Sequence, residues 1–439
     1  MSLSSLRKKV GNFIAGEDSS RPGQENQQQA GHYSDKHHTP LPSDWQPYPG
    51  LRFSFHFITV DVTNVQQHAI LGTSVVTSDI TSKYGELSGP YSQGFILETF
   101  KSVPGVGKIG WNASESPYQA VFSRPYGAQV HHSWQLLVVK ASIHTVEQAG
   151  FLSQLSGRTH DVTNKSSIVN AIAQQAARGG RLVCVELTGQ VQGQGISGSL
   201  ARRSEAMGCD VFFNLPLHPN PVTYTYQLVN IPVQVMYLGP GKMVKVTCEW
   251  MKHFAWHLQQ GWKLAEIFWD QGKRSHGDFT LSGDHNSVWF FEKESARASD
   301  PTPVYEGVII EYKHTVKIGF FQTKAKGDWG PMISEMGSRG WELACMLETP
   351  EVTNIGLGNI TFKILFFFQR RILQGQPPPG TYYPPPPQGN YNQYPVPGGQ
   401  NYAGAPPPPY YPPQEYQAPP PYNPNSLGKP SAPPHPEKF

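Results

Sequence analysis

The sequence predicts an α+β fold: four repeated strand-helix-strand-strand units that form paired antiparallel-sheet and helix domains, with disordered N- and C-terminal tails. Three observations predict it. A glycine with a leucine three positions on recurs at Gly94, Gly179, Gly261 and Gly340, about eighty residues apart each time. Recurrence at a fixed period points to one structural unit used four times. Each copy lies between segments rich in β-branched and aromatic residues, which suit a pleated surface. Composition then changes sharply: more than half of the 41 prolines lie beyond Gln374. Residues 1–48 therefore read as a tail, 49–220 as the first pair of units, 221–372 as the second pair, and 373–439 as a Pro/Tyr-rich tail that cannot bury a core.

The opening strands are Arg52–Phe57, Trp134–Val139, Tyr224–Val229 and Val308–Tyr312. The helix of the third unit has the clearest stripe, with Val244, Cys248, Met251, Ala255 and Leu258 at helical spacing. Ile168, Ile172 and Ala176 form the stripe of the second. In the fourth, Asp328 and Pro331 suit a helix start and Met332, Ile333 and Met336 give a short apolar face. Gly85, Gly89 and Pro90 argue against a long helix in the first. The repeated glycine follows each helix, where a left-handed residue carries no Cβ clash. Gly94, Phe95, Gly179, Leu182, Gly261, Trp262, Gly340 and Trp341 are read as the packing residues of the repeat. Each unit closes on an aromatic strand: Val121–Arg124, Val211–Asn214, Val288–Glu292 and Leu365–Arg370.

A formal net charge of +3 over 439 residues gives no case for nucleic-acid binding. The four cysteines, Cys184, Cys209, Cys248 and Cys345, form no CxxC pair and read as buried thiols of a reducing compartment. No run of about twenty apolar residues suggests a spanning helix, and the N-terminus lacks a secretory core. Three glycosylation sequons, at Asn112, Asn164 and Asn359, are accordingly chance matches. The histidines, including the pairs His37-His38 and His131-His132, show no metal-site spacing. No cofactor is expected, and no nucleophile elbow or catalytic Cys/His signature appears. Gly193-Gln194-Gly195-Ile196-Ser197-Gly198 spells GxGxxG, but a dinucleotide site needs a tight turn inside a parallel unit, so a loop is expected.

Val288-Trp289-Phe290-Phe291-Glu292, Val308-Ile309-Ile310-Glu311, Gly340-Trp341-Glu342-Leu343-Ala344-Cys345 and Thr349-Pro350 stand in an order that resembles the closing part of the raftlin family. Gln93-Gly94-Phe95 and Phe212-Phe213-Asn214 fit as well, so the resemblance extends over most of residues 50–372. It implies a peripheral, non-enzymatic protein of the inner plasma-membrane leaflet, associated with raft organisation, receptor signalling and endocytic uptake. Raftlin-like proteins typically begin Met-Gly-Cys, which supports acylation. Here Met1-Ser2-Leu3 offers no glycine at position 2, so that anchor does not carry over, and neither do tail partners.

Other features take the anchor's place. Leu3, Leu6, Val10, Phe13 and Ile14 fall on one helical face, with Arg7, Lys8 and Lys9 mainly off it. An apolar stripe beside basic residues suits an interfacial helix on an anionic membrane lipid surface; the alternative is an ordinary disordered terminus. In the other tail, Pro407-Pro408-Pro409-Tyr410 and Pro419-Pro420-Pro421-Tyr422 match the PPxY pattern read by WW domains, as in HECT ubiquitin ligases. Pro430-Ser431-Ala432-Pro433 matches the signal read by ESCRT-I. A solvated spacer is the alternative there. The expected protein is thus a scaffold at the cytoplasmic face of the plasma membrane and endosomes, or in the cytoplasm. The competing readings are a soluble cytosolic adaptor, and an enzyme or small-molecule binder with a pocket between units lined by Trp262, Trp341 or the Gly193 loop.

Overall fold

A computed structural model describes residues 48–373, apart from 69–73, 110–112, 129–131, 149–159, 194–203, 220–221, 238–243, 271–282, 320–321 and 357. The described residues belong to one compact unit and are mostly antiparallel β-sheet with few helices. The first segment holds β1 (Phe53–His68), β2 (Ser74–Ser78), 3-10 helices Ile80–Lys83 and Glu86–Gln93, β3 (Ile96–Ser102), β4 (Gly107–Ile109) and β5 (Ala113–Pro125). The second holds β6 (Trp134–Gln148), β7 (His160–Asn164), α1 (Ser166–Ala176), β8 (Arg181–Gly193) and β9 (Ser204–Pro216). The third holds β10 (Tyr224–Tyr237), β11 (Val244–Thr247), α2 (Trp250–Gln259), β12 (Lys263–Trp269) and β13 (Gly283–Glu294). The fourth holds β14 (Tyr305–Ile318), β15 (Gln322–Ala325), α3 (Gly330–Ser338), β16 (Glu342–Gly356) and β17 (Asn359–Arg371).

Antiparallel pairing gives the strand orders β2-β1-β5-β3, β7-β6-β9-β8, β11-β10-β13-β12 and β15-β14-β17-β16. Bridges between β11 and β16 and between β15 and β4 join three segments into one hydrogen-bonded sheet. The sheet of the second segment stays separate.

The structure corrects the sequence reading in three places. A short hairpin strand follows every opening strand, and four or five residues are too few to show a period. One of these strands, β11, takes Val244, so α2 begins only at Trp250 and buries Trp250, Phe254 and Leu258. Among its described residues the first segment has no α-helix: Pro90 lies inside its second 3-10 stretch, where a ring without N–H breaks α-type bonding.

Each aromatic closing strand buries both faces, in two different hydrophobic clusters. Val121 and Phe122 of β5 point opposite ways, as do Phe212 and Phe213 of β9, Phe290 and Phe291 of β13, and Phe366 and Phe367 of β17. The clusters therefore follow one another in a closed circuit with the closing strands as partitions. The helices lie over the sheets: α1 against β6 of its own segment and β10 of the next, α2 chiefly against β14 and α3 chiefly against β1. The 3-10 helix Glu86–Gln93 lies against β6.

Candidate functional site

At the centre of the circuit four strands meet: β3 contacts β8, β8 contacts β12, β12 contacts β16, and β16 returns to β3. Each leaves a glycine turn and bulges just past the repeated leucine, between Leu97 and Thr99, Leu182 and Cys184, Leu264 and Glu266, and Leu343 and Cys345. A bulge re-aims the side chains that follow it. Here the strands bring a set of charges together. Near the glycine turns, Arg181 Nη2 lies 2.9 Å from Glu292 Oε1, and the Tyr226 hydroxyl donates to the same carboxylate. Lys263 pairs with Glu342, and Ser123 donates to Glu98. Farther along, Lys101 Nζ lies 2.8 Å from Glu266 Oε2 and 3.8 Å from Glu186. Glu266 also accepts the backbone N–H of Val185 at 2.9 Å and the Cys345 thiol at 3.2 Å.

Buried charge is tolerated when it is paired and hydrogen-bonded. Burial works against the ammonium of Lys101, but Glu266 and Glu186 outweigh it and hold its pKa above the usual range. Burial likewise opposes ionisation of Glu342, yet Lys263 keeps that carboxyl below its ordinary value. Glu98 is the exception. Burial pushes it up to about 7, against the opposing pull of Lys263. Burial also raises the Cys184 and Cys345 thiols, which stay protonated. Among the described residues no group of His, Cys, Asp or Glu is placed to hold a metal ion. The centre is a clasp of paired charges between four strands.

The residues singled out in the sequence lie around this clasp. Gly94, Gly179, Gly261 and Gly340 have φ of 76°, 79°, 77° and 84°. In each turn the following residue donates its N–H to the carbonyl five residues back: Phe95 to Pro90, Gly180 to Gln175, Trp262 to His257, Trp341 to Met336. Leu182 is buried. The rings that follow these glycines are paired with charge. Each is roofed by a cation from the closing strand of its own segment: Phe95 by Arg124 at 4.5 Å, Trp262 by Lys293 at 4.6 Å, Trp341 by Arg370 at 4.3 Å. The second segment has Gly180 instead of a ring, and Leu215 stands where the cation would be. Gly193 ends β8, and the rest of its loop lies outside the described residues. So do the N-terminal stripe Leu3–Ile14, both PPxY motifs and the Pro430–Pro433 motif.

The body begins and ends at one place. The Tyr48 hydroxyl donates to the carbonyl of Arg371, and the Tyr48 ring lies under Arg370 at 4.4 Å. Beside it is a pocket of about 280 Å³ lined by Tyr48, Leu51, Phe53, Glu342, Arg371 and Leu373. Trp262 and Trp341 take no part in its lining.

Fold and clasp together define a β-rich body with paired charges at its centre. Its relatives give that body a family. The family model described as Raftlin matches residues 140–377, and the chain belongs to that family. The match covers the second to fourth segments from within β6 onward and leaves the first segment outside it. Raftlin of Mus musculus is 28% identical over 170 residues, 39% of this chain and 29% of that protein. Raftlin of Gallus gallus is 27% identical over 36% of this chain and 25% of its own length. Raftlin-2 of Pongo abelii is 24% identical over 40% of this chain and 34% of its own length. The alignments thus span about a quarter to a third of these relatives. No solved structure matches the chain.

Proposed function

We propose that the chain is a non-enzymatic peripheral membrane scaffold of the raftlin type, built on four copies of one module. The family membership and the relatives' name support membrane-raft association; a part in receptor signalling or endocytic uptake belongs to the same proposal. The observation that carries the scaffold reading is the junction of Tyr48 with Arg371. It brings Tyr48 and Arg371, near the two ends of the described residues, together on one body whose central charges are largely paired. In this reading the amphipathic stripe of residues 1–16 contacts anionic lipid at the cytoplasmic face of the plasma membrane and of endosomes. The PPxY motifs around Tyr410 and Tyr422 recruit WW-domain proteins, and Pro430–Pro433 recruits ESCRT-I. Two PPxY sites on one segment raise apparent affinity through effective concentration. Among the described residues no helix is long and apolar enough to cross a membrane.

Membrane fractionation of the intact chain against one lacking residues 1–16 tests this reading. The intact chain is expected to sediment with membranes and the shortened chain to shift toward the supernatant. An intact chain found wholly in the supernatant overturns the membrane role. Capture by WW domains is expected to disappear in the Tyr410→Ala, Tyr422→Ala double variant.

A further inference from the structure

The outer face of β14 is covered by α2 only near its start, where Phe254 and Leu258 close on Gly307. Beyond that cover Lys313 and Lys317 are exposed, and the neighbouring strand β15 adds Lys324, with Lys326 just past its end. Lys317 and Lys324 are direct cross-strand partners, and the backbone of Lys326 bonds Thr315 across the same hairpin. The four lysines therefore share one open face. None has a carboxylate at ion-pair distance among the described residues. The nearby acids are engaged elsewhere: Glu311 and Glu351 hold Lys363 at 2.9 and 3.6 Å, Glu115 holds Lys108 at 3.0 Å, and Asp328 caps the N–H of Gly330 at 2.9 Å.

Two structural reasons for such lysines do not apply. Like charges directly opposite across strands destabilise a sheet, so the pairing gives the fold nothing. Lysines often guard an open sheet edge, but β15 is bonded on both sides, to β14 and to β4. Uncompensated charge of this kind is offset by a counter-charged surface. Lysine ammoniums are hydrated point charges, suited to diffuse attraction rather than to the forked grip that arginine takes on individual phosphates.

We propose that the lysine face of β14 and β15 docks the body onto an anionic lipid bilayer. This rests on the membrane reading above and adds a second contact, on the body, to the one assigned to residues 1–16. The full chain is mixed with phosphatidylcholine vesicles with or without phosphatidylserine, and co-sedimentation is measured at several salt concentrations. Binding is expected to need phosphatidylserine and to weaken with salt. The Lys317→Gln, Lys324→Gln variant is expected to lower the partition coefficient roughly thirtyfold. The Lys140→Gln, Lys245→Gln variant, equal in net charge and exposed elsewhere, is expected to leave it near wild type. Unchanged circular dichroism confirms folding in both. If the first variant binds like wild type while removal of residues 1–16 abolishes binding, the docking face is wrong and the membrane reading survives. If the full chain ignores both vesicle types, the membrane reading fails with it. Capture of the wild-type chain by duplex RNA at the same ionic strength, lost in the first variant, overturns lipid as the occupant.

Discussion

Gly261 shows why a glycine follows α2. Its φ of 77° lies in the left-handed region, and an added Cβ would stand 2.7 Å from the carbonyl oxygen of Thr302. The backbone term alone costs an L-residue about 1–2 kcal/mol, and the contact adds to it. Gly261→Ala is expected to lose roughly 2 kcal/mol or more in chemical denaturation. Gly85→Ala, with φ of −58° and no atom within 4 Å, is expected to stay within about 0.5 kcal/mol of wild type. The rings beside these glycines follow an equally local rule. Phe95, Trp262 and Trp341 each carry a cation on one face, and where Gly180 removes the ring, Leu215 removes the cation. Cation–π attraction of about 0.5–2 kcal/mol explains the pairing. Both partners are visible in the sequence, but they lie about thirty residues apart and only the strand register aligns them.

Among the elements, the helices show packing overriding propensity. Gly337 sits in the last turn of α3, where alanine would be favoured by about 1 kcal/mol. Its missing Cβ, however, leaves room for Phe55, whose ring would lie at 2.4 Å, and for the carbonyl oxygen of Phe53, at 2.7 Å. Overpacking of that kind costs about 1–3 kcal/mol. Gly337→Ala is therefore expected to destabilise by about 1 kcal/mol net in thermal unfolding. A rise in melting temperature would show that α3 does not press on β1 as described. The sequence made the long elements legible: the opening and closing strands, the helical stripes and the glycine turns all have a period or a steric signature. The hairpin strands were hidden by brevity, and β11 was absorbed into the α2 stripe because Val244 keeps helical spacing with Cys248. The bulges were hidden because they are a property of the pair, not of one strand. The clasp went unseen for a related reason. Glu98, Lys101, Arg181, Glu186, Lys263, Glu266 and Glu342 are ordinary charges in their own strands, and only the meeting of four strands makes them partners.

For the molecule as a whole, the clasp ties folding to pH. Glu98 has a pKa of about 7 in the folded chain against 4.5 for the free group. The folded state thus holds a proton between those values that the unfolded state has released. Through this group alone, stability is highest below pH 4.5 and declines as pH rises toward 7. His257 and His314 act in the opposite sense. Burial lowers both to about 4, so their share is lost as pH falls from 6.5 toward 4. Glu98→Gln keeps the neutral form at every pH. It is expected to match wild type under acid conditions and to exceed it above pH 7, read as denaturation midpoints across the range. A difference that does not grow with pH would remove Glu98 from this role.

Two helices lie chiefly against the opening strand of the following segment, α2 against β14 and α3 against β1. Cutting the chain between β13 and β14 would strand a donor at one terminus, α2, and an acceptor at the other, β1. Two such fragments can satisfy each other's vacancies in trans, and a heterologous join that fails to close propagates. Truncations inside the body are therefore expected to emerge from size exclusion as exchanged oligomers rather than as smaller monomers.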